Sequence, residues 1–308
     1  MAPLHALVVS DPTAPYWDQW QRDRLAHPDV WTDWGDHPFI QSWVFNRVFG
    51  PGKGLFDVFG EHLSHIQHPA ALSLCCGDGS FERALVSAGL VHSVLGLDAS
   101  LVRIQAARDQ AVEQPQCRFE VANLNALELS DQRFDVVFAK AALHHIEALE
   151  SLSEELVRVL RPGGLLIALD FFGPSRFQWT DLQLGWANRL LDGLPLSLRQ
   201  FRDGRIYERV TRPSEAQMIA LDPTEAVRSS DIESIFKRHF QLIDEYALGG
   251  TLLSLVVYGD LVNRYNPEDP AHCAHLEVML RQEHALIDSG ALPSDFRLWI
   301  ARPRTEAA

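Results

Sequence analysis

The chain has little cysteine, a shortage of positive charge and no long apolar run. Its four cysteines, two of them adjacent at Cys75 and Cys76, make no disulfide framework, so a reducing cytoplasm is the expected setting. No apolar stretch approaches the roughly 20 residues that span a bilayer, and no membrane partner is expected. Met1 to Ser10 lacks a basic flank and an apolar core, so a signal peptide is not expected. Basic residues number 27 against 41 acidic ones, for a net charge of −14. Proteins that grip nucleic acid draw much of their affinity from neutralising phosphates, so this balance disfavours DNA and RNA. The nearest basic stretch, Arg199 to Arg212, is interrupted by acids. The Gly-Lys-Ser/Thr of a triphosphate-binding loop is missing. His272-Cys273-x-His275 lacks a partner pair at zinc spacing and reads as helix surface, so no metal is expected. No internal repeat is evident. What remains is a small-molecule partner, handled by a monomer or a homodimer.

What is present centres on Ala71 to Asp98. A short apolar run (Ala71, Leu72, Leu74, Cys75, Cys76) meets a tight Gly77-Asp78-Gly79 turn, a helical pattern follows, and a second run (Val94, Leu95, Leu97) stops at Asp98. In open α/β sheets the ligand crevice lies at the carboxyl ends of such strands. Glycines admit close backbone approach, the helix N-terminus presents free N–H groups, and Asp98 is placed to accept from a ribose diol. An adenosine-containing cofactor is therefore expected. A nicotinamide dinucleotide wants a third glycine for close helix–strand packing, and counting from Gly77 that position is Glu82.

The segment resembles the first motif of class I S-adenosylmethionine-dependent methyltransferases. Three later stretches occur in that family's order: Val121-Ala122-Asn123-Leu124-Asn125; Phe134 to Ala139 with Ala142-Leu143-His144-His145-Ile146; and Leu160-Arg161-Pro162-Gly163-Gly164-Leu165-Leu166. The resemblance implies S-adenosylmethionine as cofactor and S-adenosylhomocysteine as product. It implies cofactor contacts from Ser73, Cys75, Gly77, Asp78, Gly79, Asp98, Ala99, Asn123, Leu124 and Lys140. Two positions depart from the pattern. Ser73 stands where an acidic residue commonly helps to hold the cofactor's ammonium, and Cys75 stands where the first motif glycine is usual. They sustain a reading of another class, a non-catalytic cofactor-binding or scaffolding protein.

The implied fold is a Rossmann-like doubly wound α/β sheet of seven strands, the last antiparallel, with a helical cap and helical lid insertions. Strands are expected near 71–76, 93–97, 117–121, 134–139, 164–171, 241–248 and 296–301. Residues 1–70 read as a cap of short helices joined at His27-Pro28 and His37-Pro38, holding five of the eight tryptophans. The core then runs over 71–302, with a substrate lid at about 172–213 and a helical insertion at about 250–292. Asp222-Pro223-Thr224 reads as the start signal of a helix over Glu225 to His239.

Two acceptor chemistries are open. A hydroxyl needs a general base, and His144 or His145 after the fourth strand can supply one. A thioether such as methionine has no proton to lose. It needs aromatic faces for the cationic product, from Trp17, Trp179 or Tyr207, and a guanidinium for its carboxylate, such as Arg176.

Overall fold

The computed structural model describes residues 13–26, 31–129 and 133–304; the expectations for Met1 to Ser10 and for the His27-Pro28 turn fall outside them. Three helices come first: α1 (Ala14–Ala26), α2 (Pro38–Val48) and α3 (Leu55–Leu63). The alternating core follows with β1 (Ala70–Leu74), α4 (Ser80–Ser87), β2 (Ser93–Asp98), α5 (Leu101–Gln110), β3 (Cys117–Val121), β4 (Phe134–Lys140), α6 (Leu149–Val159) and β5 (Leu160–Phe171). Next come α7 (Asp181–Asp192), α8 (Glu215–Leu221), α9 (Ile232–His239), β6 (Phe240–Gly249), α10 (Leu253–Val256), α11 (Pro270–Asp288) and β7 (Phe296–Pro303).

Seven strands make one sheet in the order β3-β2-β1-β4-β5-β7-β6. The first five run parallel, and β7 lies antiparallel between β5 and β6. Helices cover both faces, which is why β1 and β4 are apolar nearly throughout instead of alternating. Ala71, Val136 and Phe138 enter the core on one face; Leu72, Leu74, Val137 and Ala139 enter the other. Each fully buried leucine, valine or phenylalanine contributes about 1.5–3 kcal/mol as an upper bound. The chain reverses its direction of winding between β1 and β4. The connections out of these strands part to opposite sides, leaving a crevice at their carboxyl ends.

The cap does not stand apart from the 250–292 insertion. Helix α2 packs against β6 and α11. Trp31 and Asn263 exchange backbone-to-side-chain hydrogen bonds of 3.0 and 2.8 Å, and the His37 ring donates to the Tyr265 carbonyl at 2.8 Å. The Gly249-Gly250 corner is left-handed at both residues (φ 87° and 72°). It turns the N–H groups of Gly250, Leu252 and Leu253 onto the fully buried Glu283 carboxylate of α11, at 3.0, 2.6 and 2.9 Å.

One expected element is displaced. The helix placed over Glu225 to His239 begins at Ile232, after a 3-10 turn at Ser229–Asp231. Asp222 spends its side chain on the Thr224 N–H and hydroxyl, both at 2.8 Å, and so folds a local turn instead of capping a helix. Ala226 is left-handed (φ 48°), and the Val227 N–H donates to the His144 carbonyl at 3.0 Å. The segment is held against the loop after β4, where a helix could not reach. No helix among the described residues is long and apolar enough to cross a membrane.

Glu283→Ala should strand three buried N–H groups and lower unfolding free energy by roughly 3 kcal/mol or more, read from urea denaturation.

Candidate active site

A cavity of about 360 Å³ opens at the carboxyl ends of β1, β2 and β4, lined by Cys75, Gly77, Asp98, Leu124, Lys140 and His145 among others. Another depression lies at the opposite, amino ends of the strands, beside Pro69, His92 and Gln116. In open α/β sheets the chemistry sits at the carboxyl ends, which points to the first of the two.

The turn after β1 shapes the floor. Gly77 and Gly79 are left-handed (φ 58° and 71°). A Cβ on Gly79 would fall 2.4 Å from the Phe119 ring, so the turn has no room for a side chain there. The Gly77 N–H donates to one oxygen of Asp98 at 2.9 Å and the Ser100 N–H to the other at 2.9 Å. Arg103 stands 3.8 Å from the same carboxylate. Asp78, Ala99 and Leu124 also line the cavity. Asn123 turns its side-chain Oδ1 to the Asn125 N–H at 2.9 Å, and it is Asn125 that lines the wall. These surfaces fit an adenosine: a carboxylate at the end of β2, a backbone turn without Cβ atoms, and an apolar side from Leu124 and Ile146.

Cys75 is left-handed as well (φ 50°). This accounts for the usual glycine there, since an L-residue in that region costs roughly 1–2 kcal/mol.

Glu82, read above only as a missing glycine, points into the floor. Its Oε1 accepts from the Ser73 hydroxyl at 2.5 Å, and the residue is 1% exposed. Burial raises its carboxyl to about pH 7, opposed by Ser73.

The two histidines occupy different environments. Asp170, buried at the end of β5, gathers the loop after β4 by accepting from the N–H groups of Ala142 and Leu143 at 2.8 and 2.7 Å. It also takes His144 Nδ1 at 2.5 Å, while His144 Nε2 faces Glu225 at 3.7 Å. Burial alone would push the His144 pKa down, but Asp170 and then Glu225 hold it up at about 9. His145, its ring centroid 4.0 Å away, goes the other way. Burial and the neighbouring charge of His144 push it well below the ordinary imidazole value. Thr224 gives its hydroxyl proton to Asp222, so its oxygen accepts from His145 Nδ1 at 3.2 Å. That selects the tautomer whose Nε2 carries a free lone pair.

Helix α1 closes the cleft. Asp18 accepts from the Ser100 hydroxyl and from the Val102 N–H at the start of α5. Trp17 sets its edge against His145 at 4.9 Å, beneath the Arg103 guanidinium at 5.2 Å. The cap also brings Thr13, Gln21, Thr32, Asp33 and Asp36 to the cavity wall.

The other three residues proposed for substrate lie elsewhere. Arg176 donates to the Glu225 carbonyl at 3.1 Å, Trp179 stacks on Phe177 at 5.1 Å, and the Tyr207 hydroxyl donates to the Leu255 carbonyl at 3.1 Å. Each has been drawn into lid packing, and none lines the cavity. Sequence reading missed Glu82, Asn125, Thr224, Glu225 and Asp170. For Thr224 and Glu225 the Asp-Pro-Thr-Glu signal was noticed but assigned to a helix start. Among the described residues, His144, His145 and Glu225 form the group that could hold a metal ion, with ligand atoms within 4.8 Å of one another.

A family model described as a methyltransferase domain matches residues 72–168. The chain is 30% identical over 169 residues to a 2-phytyl-1,4-naphtoquinone methyltransferase of Nostoc punctiforme, covering 48% of this chain and 71% of that protein. It is 28% identical over 195 residues to a demethylmenaquinone methyltransferase of Leptospira interrogans, covering 57% of this chain and 74% of that protein. In fold it is similar to the solved phosphoethanolamine N-methyltransferase 2 of Haemonchus contortus in complex with S-adenosyl-L-methionine (TM-score 0.50, 15% identity, 92% of this chain and 60% of that one).

Cys75→Gly should relieve backbone strain and raise stability by about 1 kcal/mol in urea denaturation. His144 generates a pH effect of defined sign. Its folded pKa of about 9 lies above the ordinary imidazole value, so its stabilising contribution is complete below about pH 6.5 and is lost as pH rises through about 9. The urea midpoint of His144→Gln should lack that alkaline decline.

Proposed function

The chain belongs to the class I S-adenosylmethionine-dependent methyltransferases, and on that premise we propose that it methylates a hydroxyl group of a small metabolite, with His145 as general base. The observation that carries this reading is the divergence of two adjacent histidines, one held charged and the other held neutral with Nε2 free. Environments that drive neighbouring groups apart in this way mark acid and base roles.

When bound, S-adenosylmethionine would supply an electrophilic methyl carbon, with the neutral thioether S-adenosylhomocysteine as its leaving group. The residues of this chain then have three tasks. Gly77, Gly79 and Asp98 hold the adenosine end in the crevice. His145 Nε2 accepts the hydroxyl proton as the oxygen attacks, and the Asp222–Thr224 chain keeps its ring oriented. Trp17 and α1 shield the reacting atoms from water, and such alignment and shielding together are worth several kcal/mol. His144 touches Asp170 and Glu225, and its charge keeps His145 deprotonated at neutral pH.

A thioether acceptor with a free carboxylate draws less support. Arg176, Arg205 and Arg212 engage the Glu225 carbonyl, Asp203 and Asp181 respectively, and the lid offers no guanidinium to the cavity. Cys75, Cys76, Cys117 and Cys273 form no disulfide with one another, which supports a reducing compartment such as the cytoplasm.

A panel of hydroxylated metabolites, with methionine as the contrasting acceptor, tests the reading by S-adenosylhomocysteine formation. Turnover confined to methionine would overturn it. With an active acceptor, His145→Ala should lower kcat by roughly 100-fold or more while S-adenosylhomocysteine still binds. Because His145 lies below the ordinary imidazole range, the wild-type rate should stay flat through neutral pH and fall only in acid, as the base gains its proton.

A further inference from the structure

Glu82 is buried to 1% exposure in the floor of the cavity, and its Oε2 has no hydrogen-bond partner among the described residues. A carboxylate oxygen removed from water without a donor is costly; Asp222 and Asp295 also leave one each, but of the three residues Glu82 alone lines the cavity, where a ligand can complete it. The Ser73 hydroxyl takes Oε1, so one oxygen is held in place and the other left open. The remaining acids of the floor are engaged. Asp98 accepts a backbone N–H on each oxygen, and Asp78 accepts from the Ser80 N–H. No described cation lies within ion-pairing distance of Glu82. Lys140 acts on it from the end of β4 through space alone, and its ammonium sits 5.8 Å over the Phe81 ring.

We infer that Glu82 is the residue that binds the α-ammonium of the cofactor's methionyl end, its carboxylate set by Ser73. The inference rests on the cofactor reading above. The carboxylate expected on β1 is carried instead by the first turns of α4, and the serine that replaced it on the strand has become its anchor. The same residue explains why a third glycine is absent from the motif: helix α4 turns a side chain inward where a dinucleotide fold needs none.

The site carries its own pH dependence. Besides Lys140, the titratable groups that act on it or face it are Asp78 from the turn, Cys76 at the end of β1 and Cys117 of β3. Burial leaves the free carboxyl at about pH 7, so an ammonium must draw the proton off before it can pair. Binding of the cofactor therefore releases a proton below that pH and weakens as pH falls.

Calorimetry with two ligands tests this. S-adenosylhomocysteine carries the ammonium; 5′-methylthioadenosine shares the nucleoside and thioether but lacks the amino-acid tail. Glu82→Gln should weaken S-adenosylhomocysteine by about 10-fold or more and leave 5′-methylthioadenosine unchanged. In the wild type, S-adenosylhomocysteine should tighten between about pH 6 and 7.5 with proton release, while 5′-methylthioadenosine stays flat. This second comparison needs no variant to fold. Equal loss of both ligands in Glu82→Gln, or matching pH profiles in the wild type, would overturn the assignment while leaving the cofactor reading intact. Failure of both ligands to bind the wild type would remove the cofactor reading and this inference with it.

Discussion

The Asp98 carboxylate is the constraint on which the rest of the site depends. It ends β2 and accepts the N–H of Gly77 from the turn after β1, so two neighbouring parallel strands finish at one buried charge. Its other oxygen takes the Ser100 N–H, and Ser100 in turn ties Asp18 of the cap to the start of α5. Without this anchor the left-handed turn at Gly77 and Gly79 would lose its reference point. Helix α1 would have no fixed seat over the cleft, and Trp17 would have no reason to meet His145. Hydrogen bonds to an ionised, buried acceptor are the strong ones, which suits a residue on which so much geometry converges.

A second buried carboxylate organises the opposite wall. Asp170 collects the N–H groups of Ala142 and Leu143 together with the ring of His144. One charge thereby stabilises a loop, sets a histidine's protonation and, through that histidine's charge, keeps His145 neutral. The floor, with Glu82, and the Gly249-Gly250 corner away from the cavity, with Glu283, follow the same logic. Each of these two acids is fully or partly paired, and the open oxygen of Glu82, unlike those of Asp222 and Asp295, belongs to a residue that lines the cavity. Part of the chain's excess of acid sits inside the molecule as fixed acceptors.

Much of the core was legible because burial on both faces makes its strands apolar throughout. Strands β3 and β4 fall within a residue of their expected ends, and the turn at Gly77-Asp78-Gly79 declares itself through glycine chemistry. The helix expected from Glu225 failed for a local reason: Asp222 has two ways to use its oxygens, and the competing turn won because the site needs that segment. Arg176, Trp179 and Tyr207 carried the right chemistry for a substrate, but composition says nothing about which neighbour a side chain meets. The lid took them for its own packing.

The sequence by itself determined the alternation of strand and helix, the phosphate-free glycine turn and the carboxylate closing β2, because these follow from periodicity and from φ preferences that single residues impose. Tertiary structure alone decided which histidine is charged, where Glu82 points and what closes the cleft. Those properties arise between residues far apart in the chain: His144 with Asp170, Thr224 with His145, Trp17 with Arg103. A pKa or an ion pair is set by the distance and burial of its partner, and neither exists until the chain has folded.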